Sequence, residues 1–404
     1  MSDSDPSHSS HKGENYPVFR LLECQLGDPV LAHSLSTYGV VAGTTLGRVS
    51  AYIFDYPLGN PREGDTAIHM PNEPLNSSTI TTKADIGIRV GDWLWNLFSK
   101  STILPLNKLL QTHLPGRYTV LSSFSDEPIQ SVFMSKNKVY SLVGTNIFIT
   151  YDYKEYKIID SMEIDCPRHL GAKQILTFKH DVLIETPRGF SIVQPIKKTQ
   201  VTNTARDFSE CNNLLDFDGK RMLCYQRLHK QLRVQIIELL NTLEPRVIFT
   251  VDVSLKTHLV THAKFWESHR IVVVLDARKF ELYEFKNSTA PCITKKIGGD
   301  VANLCAEHSN LLLVLMRKGA IYLMDAQLNI IYTLSTHPSH FDLGWPYKLS
   351  SYLNYVSWTA DQGVYFSKFP DSIFNSSQHL PCKNCACMDA EHSDKSDTNS
   401  INGD

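Results

Sequence analysis

The side chains of this chain that could do chemistry are few and bunched. His379, Cys382, Cys385 and Cys387 stand together in HLPCKNCAC. Thiolate and imidazole are ligands that zinc accepts. A structural zinc normally joins two separated ligand pairs, and no second Cys-x-x-Cys exists here. One short segment cannot easily wrap a tetrahedron, so no metal is assigned. The segment reads first as an unstructured tail, and its thiols are open to reversible acylation or redox chemistry. His258 and His262 in HLVTH have i, i+4 spacing, but the local pattern is a strand and they read as loop or rim residues. The chain has no G-x-S-x-G, no G-x-x-x-x-G-K-[ST], no H-E-x-x-H and no G-x-G-x-x-G. No catalytic residue and no cofactor are expected.

The second notable group is an apolar island, VGDWLWNLFSKSTILPLNKLL, at 90–110. Trp93, Leu94, Trp95, Leu97 and Phe98 bunch as on a short amphipathic helix that Pro105 would stop. Such a face either packs on the rim of the main body or docks in a partner's groove. Arg89, Lys100 and Lys108 are too few to favour a membrane surface. These five residues are the candidate partner-binding set. The island lies in a Pro-, Asn- and Thr-rich stretch at about 56–116, which reads as an insertion.

Composition limits the rest. The 404 residues are 42% hydrophobic and 20% charged, which is the balance of an ordinary globular chain. Formal net charge is −2, so the chain as a whole is neither a basic nucleic-acid coat nor an acidic solvating polymer. Residues 1–15 are polar and without an apolar core, so no secretory signal is expected. Residues 388–404 carry five acids against Lys395 alone and lack the apolar side chains needed to offset ordering entropy. No apolar run of about 18 residues suggests a membrane span. Nine cysteines, an odd number and mostly far apart, read as reduced thiols of the cytosol or nucleus. The basic pairs Lys197-Lys198, Lys295-Lys296 and Arg317-Lys318 give only a mild excess over 16–387, short of a nucleic-acid footprint. They leave room for weak attachment to RNA or to an acidic partner.

A repeat must position whatever these residues do. A polar turn followed by an alternating strand recurs in TTLGRVSAYIFD, VGTNIFITYD, TPRGFSIVQP, RLHKQLRVQIIE, DARKFELYEF, MRKGAIYLMD and ADQGVYFSKF. Each follows another short β-type run, so each copy is a hairpin. The turn residues Gly47, Asn146, Gly189, Lys230, Arg278, Gly319 and Gly363 are separated by 99, 43, 41, 48, 41 and 44 residues. Five of the six intervals match the roughly 40–45-residue period of four-stranded propeller blades. The sixth is one period plus an insertion of the length noted above. Inner strands are expected at 30–36, 129–135, 173–179, 213–218, 259–266, 301–307 and 341–349. Outer strands are expected at 117–124, 157–164, 246–253, 292–299 and 330–336. The last blade lacks an outer strand, and 16–25 is a spare one whose pairing there would close the ring.

The sequence therefore predicts an all-β fold, a seven-bladed β-propeller over 16–375 with one insertion in the first blade. The tails, 1–15 and 376–404, are expected to be disordered. The chain resembles the WD40-like β-propeller superfamily. Phe54-Asp55, Tyr151-Asp152 and Met324-Asp325 stand where that family has Trp-Asp, although no true Trp-Asp pair occurs. Those aspartates are expected to bond nearby turn amides. The functional expectation is a non-catalytic scaffold or adaptor of an intracellular complex, with other proteins as partners. Neither nucleic acid nor a small-molecule substrate is expected. The alternative is a propeller enzyme using channel acids at inner-strand starts, for which Asp28, Asp126, Glu127, Asp300 and Asp342 are the candidates.

Overall fold

The computed structural model describes residues 18–376 apart from 24–27, 60–115, 124–126, 156, 166–171, 173, 187–188, 204–212, 230, 240–244, 255–258, 287–288, 309, 336–346 and 361–362. Twenty-eight strands among these residues form seven four-stranded antiparallel sheets. The chain begins with β1 (Phe19–Glu23). Blade 1 is β2 (Val30–Ser36), β3 (Gly39–Thr44), β4 (Arg48–Phe54) and β5 (Gly116–Ser123). Blade 2 is β6 (Ile129–Met134), β7 (Lys138–Val143), β8 (Ile147–Asp152) and β9 (Lys157–Glu163). Blade 3 is β10 (Gln174–Phe178), β11 (Asp181–Thr186), β12 (Gly189–Gln194) and β13 (Thr199–Asn203). Blade 4 is β14 (Asn213–Phe217), β15 (Arg221–Arg227), β16 (Gln231–Glu238) and β17 (Arg246–Ser254). Blade 5 is β18 (Val260–Trp266), β19 (Arg270–Leu275), β20 (Lys279–Glu284) and β21 (Ile293–Lys296). Blade 6 is β22 (Val301–Cys305), β23 (Leu312–Met316), β24 (Ala320–Met324) and β25 (Ile330–Ser335). Blade 7 is β26 (Leu349–Tyr352), β27 (Tyr355–Ala360) and β28 (Gly363–Lys368), with β1 as its outer strand.

The expected closure is present. β1 pairs antiparallel with β28, Phe19 opposite Phe366 and Glu23 opposite Gly363. Backbone groups on the free edge of β28 thereby gain partners from the far end of the chain. The excursion also falls where the spacing put it, between β4 and β5, which pair with each other from Phe54–Gly116 to Arg48–Ser123. It is narrower than 56–116, because Leu58 is buried and its N–H donates to Thr37 O at 2.8 Å.

Strand interiors follow from composition. The second strands are the most apolar, and Val272, Val273 and Val274, like Leu312 to Leu315, are fully buried. They lie sandwiched between neighbouring blades, so both of their faces need apolar side chains. Blades 1 and 2 approach closely because β3 carries glycine: a Cβ on Gly43 would lie 2.2 Å from Ile129 Cγ2. Positive φ at Gly47 (77°) and Gly319 (88°) shapes two of the hairpin turns.

Three elements depart from the expectations. The last inner strand is described at 349–352, and 341–346 of the expected span lie outside the described residues. β13, the outer strand of blade 3, was not foreseen, and neither was the short helix α1 (Asp371–Ser376). LSSY and TQVTN lack apolar alternation for a physical reason. Ser350 and Ser351 are buried and bond across blades, whereas Gln200 and Thr202 of the solvent-facing β13 bond Ser191 of β12.

Candidate functional site

The partner-binding candidates Trp93, Leu94, Trp95, Leu97 and Phe98 lie outside the described residues, as do His379, Cys382, Cys385 and Cys387. Asp126, Asp342 and His258 lie outside as well. Among the described residues no group of three or more His, Cys, Asp or Glu is placed to hold a metal ion. No helix among them is long and apolar enough to cross a membrane.

The remaining inner-strand acids are locally engaged. Asp28 is 1% exposed and accepts hydrogen bonds from Thr44 Oγ1 (2.8 Å), Thr45 Oγ1 (3.0 Å) and Leu46 N (2.8 Å). Glu127 lies against its own blade's turn, where a Cβ on Gly144 would be 2.6 Å from Glu127 Oε2. Asp300 accepts from Arg278 Nε at 2.6 Å. Asp152 and Asp325 do bond turn amides: Asp152 Oδ1 accepts from Lys154 N (2.8 Å), and Asp325 Oδ1 from Gln327 N (2.9 Å) and Asn329 N (2.7 Å).

A set of side chains, of which the sequence singled out only His262, runs around the inner wall. Gln174 Nε2 donates to Leu214 O at 2.8 Å, from blade 3 to blade 4. Asp216 accepts from Lys264 Nζ (2.7 Å) and Phe265 N (2.8 Å), from blade 4 to blade 5. His262 Nε2 lies 3.1 Å from Ala302 O, from blade 5 to blade 6. Asn303 Nδ2 donates to Tyr347 O at 2.5 Å, beside blade 7. Ser350 Oγ accepts from Leu35 N at 3.2 Å, and His33 Nε2 lies 3.0 Å from Ser357 Oγ, both joining blade 7 to blade 1. His262 is therefore an inner-strand residue and not a rim residue; its ring reaches the backbone edge of the next blade.

β-Bulges aim three of these side chains. The inner-strand registers shift between Leu214 and Asp216, Val260 and His262, and Val301 and Asn303. A bulge re-aims the residue that follows it, and in each case that residue bonds the neighbouring blade. The one signal in the sequence is spacing. Gln174, Asp216, His262, Asn303 and Ser350 are separated by 42, 46, 41 and 47 residues.

Charge along this wall is uneven. Burial opposes the charge of Lys264, but Asp216 outweighs it and holds the ammonium above its usual range. Lys348 is pushed down by burial and by repulsion from Lys264. Burial pushes the Cys305 thiol up, and its Sγ lies 3.3 Å from Ser351 Oγ. Enclosure raises the Glu307 carboxyl to about 7, opposed first by its bond to Cys305. Glu307 nevertheless keeps an exposed surface, so it retains part of its hydration and its charge costs less than full burial would. Beside these groups, Leu214, His262, Lys264 and Asn303 help line an open cleft of about 170 Å³.

Two histidines make the fold acid-sensitive. Burial, aided by Lys348, lowers His33 to about 4, and burial alone lowers His308 to about 4. Their unfolded values lie near 6.5, so the unfolded chain takes up protons first as pH falls. The contribution of neutral histidine to stability is complete above about pH 6.5 and is lost on the way down to about 4. The urea midpoint should fall between pH 7 and pH 5, and His33→Gln should flatten that fall. An unchanged slope in the variant would remove His33 from the effect.

The turns joining the second and third strands of blades 5 and 6 carry cations. Arg278 lies in the blade 5 turn, and Lys279 opens β20 and pairs across the sheet with Lys296. Arg317 and Lys318 form the next blade's turn, where Arg317 N donates to Asp300 O at 2.8 Å. The bond from Arg278 holds the Asp300 carboxyl below its usual range, with Arg317 and Lys318 adding to the effect. Of the basic pairs seen in the sequence, Arg317-Lys318 lies near Arg278 around Asp300, whereas Lys296 pairs with Lys279 on the face of blade 5 turned to blade 4.

No family model and no curated protein matches the chain. Solved structures do. A chain in the crystal structure of a mitotic checkpoint complex shares 12% identity over 91% of this chain and 96% of its own length, with a TM-score of 0.51. The crystal structure of the computationally designed Ika8 protein shares 13% identity over 87% of this chain and 99% of its own, with a TM-score of 0.46. Identities this low carry the first likeness to the fold and no further. The chain is a seven-bladed β-propeller.

Proposed function

We propose that this propeller is a non-catalytic interaction module, a scaffold or adaptor subunit that binds other proteins in the cytosol or nucleus. One observation carries the reading. The described acids at inner-strand starts, which an enzyme of the channel would need to converge on a substrate, serve local structure instead. Asp28 takes three hydrogen bonds from its own hairpin and Asp300 is paired with Arg278. A rigid ring with loops on two faces recognises partners through those loops. The likeness to a chain of a mitotic checkpoint complex supports a role in assemblies, and the choice of partner is this protein's own. Trp93 and Trp95 of the insertion are the proposed anchors, because buried aromatics usually dominate interfaces.

The test is affinity capture of the full chain with mass spectrometry, repeated with Trp93→Ala/Trp95→Ala. A partner should co-purify, and the double variant should weaken its binding by roughly 2–4 kcal/mol with the ring still folded. Unchanged recovery rejects the insertion as the docking site. A free monomer with turnover activity rejects the module reading.

A further inference from the structure

The outer strand of blade 1 has an inverted pattern. Among the described residues β5 pairs only with β4, with Gly116 opposite Phe54, Tyr118 opposite Tyr52 and Val120 opposite Ser50. Tyr52 and Phe54 pack with Leu22, Val364 and Phe366, so this face of β5 is turned to blade 7. Thr119, opposite Ala51, is on the other face, turned to blade 2. Thr119 is 8% exposed, whereas Tyr118 and Val120 are each 52% exposed. The polar side chain is inside and the apolar ones stand in water. In β17, the outer strand of blade 4, the apolar Phe249, Val251 and Val253 are the buried set. Apolar side chains placed as in β5 gain from a cover that removes them from water.

The chain itself supplies the nearest cover. The excursion leaves the described residues at Gly59 and returns at Gly116, and both ends lie at the junction of blades 7 and 1. A Cβ on Gly59 would be 2.5 Å from Leu353 Cδ1 of blade 7. Gly116 stands opposite Phe54, whose ring centre lies 6.0 Å from that of Phe366. Shortly before Gly116 the sequence reads ILPLNKLL at 103–110, with Lys108 as its only charge. Leu110 precedes Gly116 by six residues, and Val120 follows it by four. Four strand residues span about 14 Å. A flexible six-residue connection extends to about 20 Å and has a root-mean-square length of about 13 Å. Mean length thus matches span, the condition under which the effective concentration of a tethered segment is highest. Trp95 is 21 residues from Gly116, where the same relation gives about 25 Å and a lower local concentration.

We propose that 103–110, through Ile103, Leu104, Leu106, Leu109 and Leu110, docks on the exposed face of β5 and covers Tyr118 and Val120. The contact anchors the downstream half of the apolar island to the side of blade 1. Trp95 is then eight residues from an anchored Ile103 and stays within about 28 Å of it. That restriction lowers the ordering cost when Trp93 and Trp95 meet a partner. The docking itself rests on β5 and does not depend on the partner reading.

Photo-crosslinking of the full chain tests this. With benzoylphenylalanine in place of Val120, ultraviolet light should join position 120 to residues within 103–110, in monomer and at a yield independent of protein concentration. The same probe in place of Val201, an outer-strand residue of blade 3 that is 51% exposed, should link to 103–110 at about a fifth of that yield or less, because the tether does not favour that site. Leu109→Ser/Leu110→Ser should lower the link from position 120 about fivefold or more, since two apolar side chains leave the contact. In the chain without the probe, the same double change should raise hydroxyl-radical oxidation of Tyr118 about twofold as its cover is lost. Buried Tyr151 should keep its rate, which reports an intact ring. Links from position 120 chiefly to 93–98, equal yields from positions 120 and 201, or no links within the chain overturn the proposal. So does a yield that grows with concentration, which means the face is covered by a second copy. Partner capture with Trp93→Ala/Trp95→Ala leaves 103–110 intact, so loss of one result leaves the other standing.

Discussion

Deleting residues 18–23 should abolish cooperative unfolding of the whole ring, the largest effect expected of any change considered. β1 is the only strand of its blade that comes from the other end of the sequence. Leu21 and Leu22 are 1% and 2% exposed, in a cluster with Val30, Leu35, Phe54, Val364 and Phe366 that joins blades 7 and 1. Without β1, β28 exposes a row of backbone donors and acceptors, and this apolar cluster opens to water. Leu22→Ala keeps the strand and isolates the packing contribution, which should be about 2–5 kcal/mol. Urea unfolding followed by circular dichroism reads both. A truncated chain that melts with the same midpoint and steepness as the full one would show that the ring does not depend on this closure.

Asp216→Ala should cost about 2–4 kcal/mol, less than a fully buried pair because the Lys264 side chain keeps 31% of its surface accessible. The carboxylate accepts from two donors of the next blade, Lys264 Nζ and Phe265 N. Removing it leaves a cation and a backbone N–H without that partner at a junction between inner strands. Lys264→Met in the Asp216→Ala background should restore part of the loss, since the unpaired cation is then gone while Phe265 N stays unsatisfied. A double-mutant cycle on urea midpoints measures the coupling. If Asp216→Ala shifts stability by less than about 0.5 kcal/mol, the junction is held by apolar packing alone.

Interior junctions of this kind were beyond sequence reasoning, whereas blade number was not. Each hairpin is local. Turn residues such as Gly47 and Gly319, alternation as in RVSAYIF, and burial-hungry runs such as LLVLM act within about ten residues, so they can be read in order. Their period of 41–48 residues, the excursion before Gly116 and the unpaired stretch at 16–25 then determine a closed seven-bladed ring. LSSY and TQVTN escaped because neither packs an alternating apolar face. One bonds across blades, the other stands in solvent.

Only the tertiary structure decided what those blades hold together. That His262 reaches Ala302, that Asp216 meets Lys264, and that His33 lies beside Ser357, 324 residues away, depends on the bulges and on the angle between sheets. The same is true of Arg278 and Asp300, which meet across the junction of blades 5 and 6. A strand's existence is determined by its own residues and its turn. Which side chain faces which across a blade junction is determined by the curvature of the whole ring, and no local stretch of sequence encodes that.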